Sequence, residues 1–154
     1  MPIIKNIRKI KETQYSESRI MAIDFGTKRF GISISDEMGI IATPLANYER
    51  VEVQKDIKYI MKQAFEREAK IILFGLPKDF NNKTTDTTQQ VKSFANLISR
   101  EIDADIFFWD ERYSSKAAER VAEHKEFRNI RDDRIAATLI LQGFLDFKNS
   151  SIHA

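Results

Sequence analysis

Near residue 45 the spacing of apolar residues first changes from that of strands to that of a helix, and this change restricts the folds the chain can adopt. Between residues 20 and 45 the apolar side chains alternate or run in short blocks, which predicts strands over 20–25, 30–35 and 40–45. Pro44 suits the end of the third strand, because proline cannot donate to a sheet ladder. Three consecutive strands joined by tight turns predict an antiparallel meander.

After residue 45 the apolar spacing becomes helical over 53–69, and strands and helices then alternate. The continuous apolar run at 71–75 is typical of a buried parallel strand, and 106–109 forms a fifth strand. A polar loop over 76–86 and helices around 91–98, over 114–124 and from Asp133 onward complete the pattern. This order predicts an α/β fold with one mixed five-stranded sheet and helices on both faces.

Three compositional zones divide the chain. Residues 1–18 are expected to form a basic extension, either an amphipathic helix or a flexible arm, followed by a single domain over 19–148 and a tail over 149–154. The first twenty residues hold five basic and two acidic side chains, whereas the whole chain carries a net charge of only +2. Binding to nucleic acid must therefore depend on a local basic patch rather than on the total charge.

The composition removes several classes of site. The chain has no cysteine and two histidines, which excludes disulfides, thiolate zinc sites, iron–sulfur clusters, a cysteine nucleophile and histidine-rich metal sites. Metal chemistry must then use carboxylates, which favour Mg²⁺ or Mn²⁺. No apolar run approaches the length of a membrane span and no secretory signal is present, so we expect a cytoplasmic protein without a membrane partner.

Acidic residues lie at the ends of three predicted elements. Asp24 ends the first strand, Glu111 or its neighbour Asp110 follows the fifth, and Asp133 opens the last helix. If these ends meet, the three carboxylates could hold one or two metal ions for phosphodiester hydrolysis. Each acid also has a structural interpretation: Asp133 as a helix cap, Asp110 and Glu111 as a solvated strand end, and Asp24 as support for the turn at Gly26.

The segment 23–36, which reads IDFGTKRFGISISD, resembles the opening motif of the YqgF/RuvX family. Segments 74–77, 110–119 and 133–142 resemble three further family motifs, in the same order and spacing. The resemblance implies a ribonuclease H-like fold and metal-binding catalytic roles for Asp24, Glu111 and Asp133. Asp110 remains an alternative to Glu111, because adjacent strand residues point to opposite faces.

Basic and hydroxyl side chains surround these acids and are candidates for contacts to the nucleic-acid backbone. Their alternative role is ordinary solvated charge. Lys78 lies in the polar loop, where the family usually has a glycine that this chain lacks. The candidate nucleic-acid-binding residues are Lys28, Arg29, Lys78, Arg112, Ser114, Ser115, Arg131 and Arg134.

The family has been described both as Holliday-junction resolvases and as the nuclease that matures the 5′ end of the 16S rRNA precursor. We expect Mg²⁺- or Mn²⁺-dependent hydrolysis with water as the nucleophile, and precursor rRNA as the preferred substrate. The chain shows no readable dimer interface, so we expect a monomer or weak homodimer, with the ribosome as a candidate partner. Branched DNA remains an alternative substrate, and a catalytically silent nucleic-acid-binding module an alternative function. The segment 24–27 also resembles the phosphate motif of actin-like and sugar-kinase ATPases, but those proteins need two such domains and this chain supplies one.

Overall fold

A computed structural model describes residues 6–76, 86–110 and 133–150, which form one five-stranded sheet with helices on both faces. The strands are β1 (Ile20–Phe25), β2 (Arg29–Ser35), β3 (Ala42–Glu49), β4 (Ile71–Leu76) and β5 (Asp105–Asp110). The helices are α1 (Val53–Glu66), α2 (Asp86–Ser99) and α3 (Asp133–Asn149). Two short 3₁₀ helices, Ile7–Lys11 and Thr13–Tyr15, precede β1. The helix predicted over 114–124 lies outside the described residues.

The strands lie in the order β3-β2-β1-β4-β5. β2 pairs with both β1 and β3 in antiparallel orientation, whereas β4 pairs with both β1 and β5 in parallel. This confirms the mixed sheet that the change in apolar spacing predicts. β1 lies at the centre, and the carboxyl ends of β1, β4 and β5 share one edge of the sheet.

Alternation along β1 directs its side chains into two cores. Met21, Ile23 and Phe25 belong to a cluster with α1 and α2, whereas Ile20 and Ala22 pack in a second cluster with α3. Helices therefore cover both faces, as predicted. Among the described residues, no helix is long and apolar enough to cross a membrane.

β3 differs from its prediction, since it spans Ala42–Glu49 rather than 40–45. The carboxylate of Asp36 accepts the backbone N–H groups of Ile40 and Ile41 at 2.7 and 2.8 Å, so these two residues belong to a closed turn and their side chains are exposed. Pro44 lies inside the strand rather than at its end. It is tolerated there because β3 is an edge strand and its register shifts opposite Ile32 and Ser33.

Helix α1 ends at Glu66, three residues before the predicted end. The chain leaves the helix through Glu68, whose φ of 56° lies in the left-handed region. The N–H of Glu68 donates to Phe65 O at 3.2 Å and that of Ala69 to Ala64 O at 2.9 Å. This bonding pattern is a Schellman cap, which usually has glycine at the position that Glu68 occupies.

The described part of residues 1–18 packs against the sheet and α3. Ile10 and Tyr15 are buried in the α3 cluster, and the hydroxyl of Tyr15 donates to Asp105 Oδ2 at 2.5 Å. The described part of this segment is therefore not a flexible arm, because its apolar side chains are buried in the core. The division into residues 1–18, 19–148 and 149–154 stays a prediction.

Candidate active site

Gly31 brings two of the three predicted acids to one place. It pairs with Asp24 across β1 and β2, and a Cβ added to it would collide with the backbone carbonyl of Asp133. Only glycine lets the first residue of α3 approach the sheet this closely. Asp24 continues the alternation of Ile20 and Ala22, so it lies on the sheet face that α3 covers. Asp24 and Asp133 therefore both lie beside Gly31.

Asp110 belongs to the opposite face of the sheet. It pairs with Leu76, which lies in the cluster with α1 and α2, and Phe108 packs against the same cluster. Side chains alternate along a strand, so Asp110 follows Phe108 to that face. Asp110 therefore does not share a face with Asp24, and Glu111 lies outside the described residues.

Asp133 forms an ion pair with Arg29. The Nε of Arg29 donates to Asp133 Oδ2 at 2.9 Å, and both side chains are largely exposed, at 58% and 41%. An exposed pair of this kind contributes little to stability, so it can exchange for another cation. Arg29, predicted to contact phosphate, is in this state bound to a candidate metal ligand.

The start of α3 is capped from another strand. Asn47 on β3 accepts the backbone N–H of Arg134 through its Oδ1 at 3.0 Å. This N–H is one of the donors that a helix leaves without an intrahelical partner, and its acceptor is Asn47 rather than the side chain of Asp133. Sequence reasoning missed Asn47, because it lies 87 residues from its partner.

Arg50 fixes the turn that follows Asp24. Its Nη1 donates to Gly26 O at 3.2 Å, and its backbone N–H donates to Lys28 O at 2.9 Å. The guanidinium lies 4.7 Å from the ring of Phe25 and 4.8 Å from that of Phe30, within cation–π range. Arg50 thereby holds the turn between Asp24 and Arg29, a role that sequence reasoning did not assign.

The side chain of Asp56 fixes the position of Arg50. Its side chain is fully buried and accepts Arg50 Nε at 2.9 Å, Tyr48 Oη at 2.7 Å and the N–H of Val51 at 3.0 Å. Burial opposes ionisation, but these hydrogen bonds and the charge of Arg50 hold the pKa of Asp56 below its ordinary value. Burial, together with the hydrogen bond and charge of Asp56, raises the pKa of Tyr48 to about 12. The carboxylate thus stays ionised at neutral pH, and Tyr48 stays protonated.

Residues 18–147 match the family model described as "RuvX: Holliday junction resolvase". The chain belongs to the RuvX family. A curated relative from Clostridioides difficile (strain 630), named "Putative pre-16S rRNA nuclease", is 38% identical over 88% of this chain and 99% of its own length. A protein of the same name from Ehrlichia ruminantium (strain Welgevonden) is 36% identical over 94% of this chain and 95% of its own length. The resemblance that four sequence motifs indicate is thus confirmed.

Solved structures similar to this RuvX-family chain include T. thermophilus RuvC in complex with a Holliday junction substrate, at a TM-score of 0.64 and 12% identity. That match covers 87% of this chain and 98% of RuvC. The fowlpox virus resolvase in complex with Holliday junction DNA matches at a TM-score of 0.52 and 9% identity, over 84% of this chain and 97% of that one. These likenesses confirm the ribonuclease H-like fold.

The RuvX-family chain places its remaining predicted site residues as follows. Lys28 is exposed in the turn after β1, and Arg134 is half-buried as the second residue of α3. Within residues 6–76, 86–110 and 133–150, no three acidic or histidine side chains cluster as a metal site. The predicted residues outside the described ranges are Lys78, Glu111, Arg112, Ser114, Ser115 and Arg131.

Proposed function

We propose that this chain is a divalent-metal-dependent nuclease that hydrolyses a phosphodiester bond in the 16S rRNA precursor. The observation that carries the proposal is that Asp24 and Asp133 both lie beside Gly31. Family membership supports the reaction class, and relatives that share about a third of their sequence along most of their length are named for pre-16S rRNA. Cytoplasmic location and contact with ribosomal particles belong to the same proposal.

The proposed metal ligands are Asp24, Asp133 and Glu111. Carboxylate oxygens are the donors that Mg²⁺ and Mn²⁺ prefer, and the guanidinium bound to Asp133 indicates that this position attracts a cation. The proposal uses Glu111 rather than Asp110, because β5 alternation assigns Asp110 to the face away from Asp24. A bound ion would supply an activated water and charge stabilisation at the leaving oxygen.

The protein's own residues hold the substrate. Lys28 is exposed in the turn that follows β1, and Arg29 can bind a phosphate once Asp133 releases it. Arg50 keeps the intervening turn in place through Gly26 O and Lys28 O. The proposal extends backbone contacts to the other predicted residues, which are Lys78, Arg112, Ser114, Ser115, Arg131 and Arg134.

Branched DNA is the second candidate substrate, because the matching family model is described as a Holliday junction resolvase. The relatives similar over most of their length favour RNA, whereas the RuvC and fowlpox resolvase structures share only the fold with this chain. A resolvase would place two active sites on two strands of a junction and would act as a dimer. The preferred form is a monomer with a single site.

Cleavage of two substrates by matched proteins tests this proposal. Wild type and Asp24→Asn are incubated with an RNA spanning the precursor 16S 5′ end and with a four-way DNA junction, each in Mg²⁺, in Mn²⁺ and in EDTA. We expect metal-dependent RNA cleavage by the wild type and none by Asp24→Asn. Junction cleavage without RNA cleavage would assign the DNA substrate. Binding without cleavage of either would indicate a catalytically silent module.

A further inference from the structure

A groove of about 920 Å³ lies at the edge of the sheet opposite Asp24. Its lining residues come from the segments that lead into β1, β4 and β5, from the turn after β2, and from the last part of α1. β1 has six residues, so its length of roughly 20 Å separates this groove from the candidate active site. We refer to it below as the α1–β4 groove.

A large apolar side chain is exposed in the α1–β4 groove. Phe65 is 84% exposed, more than any other large apolar residue among the described residues. It follows Ala64, the last buried position of α1, so it points away from the core face of that helix. Met61 and Ile102, both half-buried, add apolar surface beside it. Phe65, Met61 and Ile102 form an apolar patch with charged residues around it, and such a patch is typical of a protein-binding surface.

The rim of the groove is strongly acidic. Two basic residues, Arg19 and Lys70, accompany six acidic ones, although the chain as a whole carries a net charge of +2. Arg19 pairs with Glu37 at 3.3 Å and Lys62 with Glu66 at 3.9 Å, whereas the other four acids form no ion pair within the described part of the chain. These four are Glu17, Glu68, Glu101 and Asp103.

The negative charge of the groove indicates which class of partner it binds. A nucleic-acid backbone would be repelled by the acidic rim, whereas a segment rich in lysine and arginine would be attracted to it. The exposed ring of Phe65 offers this segment an apolar contact, which an apolar side chain of the segment would bury. We infer that the α1–β4 groove docks a basic segment of a partner protein, with an apolar residue of that segment packed on Phe65. The inference is independent of the nuclease reaction, because the groove shares no residue with the candidate active site.

Fluorescence anisotropy with a synthetic peptide tests the inference. The probe is a short labelled peptide that carries lysine and arginine around one phenylalanine. Matched peptides replace either the phenylalanine by serine or the basic residues by glutamate. We expect wild-type protein to bind the first peptide and to bind both control peptides at least about tenfold more weakly, with weaker binding as salt rises.

Three protein variants locate the binding. Phe65→Ser and Glu101→Lys should each weaken binding of the basic peptide, by about tenfold and about threefold. Glu68→Gly should weaken it by about twofold while relieving the left-handed strain at this residue, so its loss of binding cannot come from unfolding. Asp24→Asn should bind as the wild type does.

Four outcomes would overturn the inference. The first is failure of the basic peptide to bind the wild type, and the second is its binding to all three groove variants with unchanged affinity. The third is equally tight binding of the glutamate peptide. The fourth is a dimer, seen in sedimentation, that Phe65→Ser abolishes, which would make a second copy of this chain the occupant. RNA cleavage by Phe65→Ser should equal that of the wild type, so failure of this inference stays separate from failure of the nuclease proposal.

Discussion

At the scale of single residues, the proposed metal site makes Arg29 a competitor of the metal ion for Asp133. The guanidinium holds Oδ2 at 2.9 Å on the surface of the protein, so a divalent ion that takes this oxygen would displace it. Displacement would free Arg29 to bind a phosphate. Metal binding and phosphate binding would thereby be coupled through one side chain.

Arg29→Gln should bind Mn²⁺ about twofold to fivefold more tightly than the wild type in the absence of RNA, because the competing cation is gone. Its KM for RNA should rise, because a phosphate contact is lost. Calorimetric titration with Mn²⁺ and steady-state kinetics measure the two effects.

Lys28→Gln is the matched control for this prediction. Lys28 is an exposed basic residue next to Arg29, but its side chain forms no ion pair among the described residues. The Lys28→Gln substitution should raise the KM for RNA and leave the affinity for Mn²⁺ unchanged. Equal Mn²⁺ affinity in Arg29→Gln and wild type would contradict the competition.

At the scale of elements, the ends of helices and strands were less predictable than their existence. The period of apolar residues predicted the existence of all five strands and of α1, α2 and α3, because it reflects burial on one or two faces. It could not locate the end of α1, since Ala69 is buried like a helical residue although the chain has already left the helix. The start of β3 was misplaced because Ile40 and Ile41 are apolar but exposed.

The cap of α1 yields a stability prediction. Glu68→Gly should raise the free energy of unfolding by about 0.5–1 kcal/mol, because glycine adopts a positive φ without the steric cost that Glu68 bears. Chemical denaturation measures the change. Glu66→Gly, at the last helical residue, should instead lower the stability by about 1 kcal/mol. A destabilised Glu68→Gly would contradict the assignment of strain.

The buried carboxylate of Asp56 yields a pH prediction. Because the folded pKa of Asp56 lies below its unfolded value of about 3.9, its contribution is present above that value and is lost as pH falls through the folded pKa. Asp56→Asn should be less stable at neutral pH, by about 3 kcal/mol, because Arg50 loses its buried partner.

Urea denaturation of both proteins between neutral and acidic pH measures this contribution. The stability of the wild type should fall more steeply below about pH 4 than that of Asp56→Asn, because the variant lacks one titrating group. Part of the pH dependence that remains in the variant comes from Asp36. Burial opposes ionisation of this carboxyl, but hydrogen bonds from backbone N–H groups hold its pKa below its ordinary value. Parallel profiles for the two proteins would contradict an ionised Asp56.

At the scale of the whole molecule, the sheet separates two surfaces. The carboxyl ends of its parallel strands carry the candidate active site, and the amino ends carry the α1–β4 groove. Sequence patterns predicted the topology and the positions of Asp24 and Asp133, because both follow from where regular elements end. They could not predict Asn47, Arg50 or Asp56, since these residues act through contacts between elements that the linear pattern does not encode.

The proposed hydrolysis depends most directly on Asp24 and Asp133 acting as one metal site. The decisive measurement is the single-turnover rate of precursor RNA cleavage as a function of Mn²⁺ concentration. It compares the wild type with Asp24→Asn, Asp133→Asn and the control Asp146→Asn, an exposed acid farther along α3. We predict that each site variant loses more than about 100-fold in rate and that Asp146→Asn cleaves normally. A variant that combines Asp24→Asn with Asp133→Asn should lose no more than the worse single one. Wild-type rates in Asp24→Asn or Asp133→Asn, or undiminished cleavage in EDTA, would contradict the shared site.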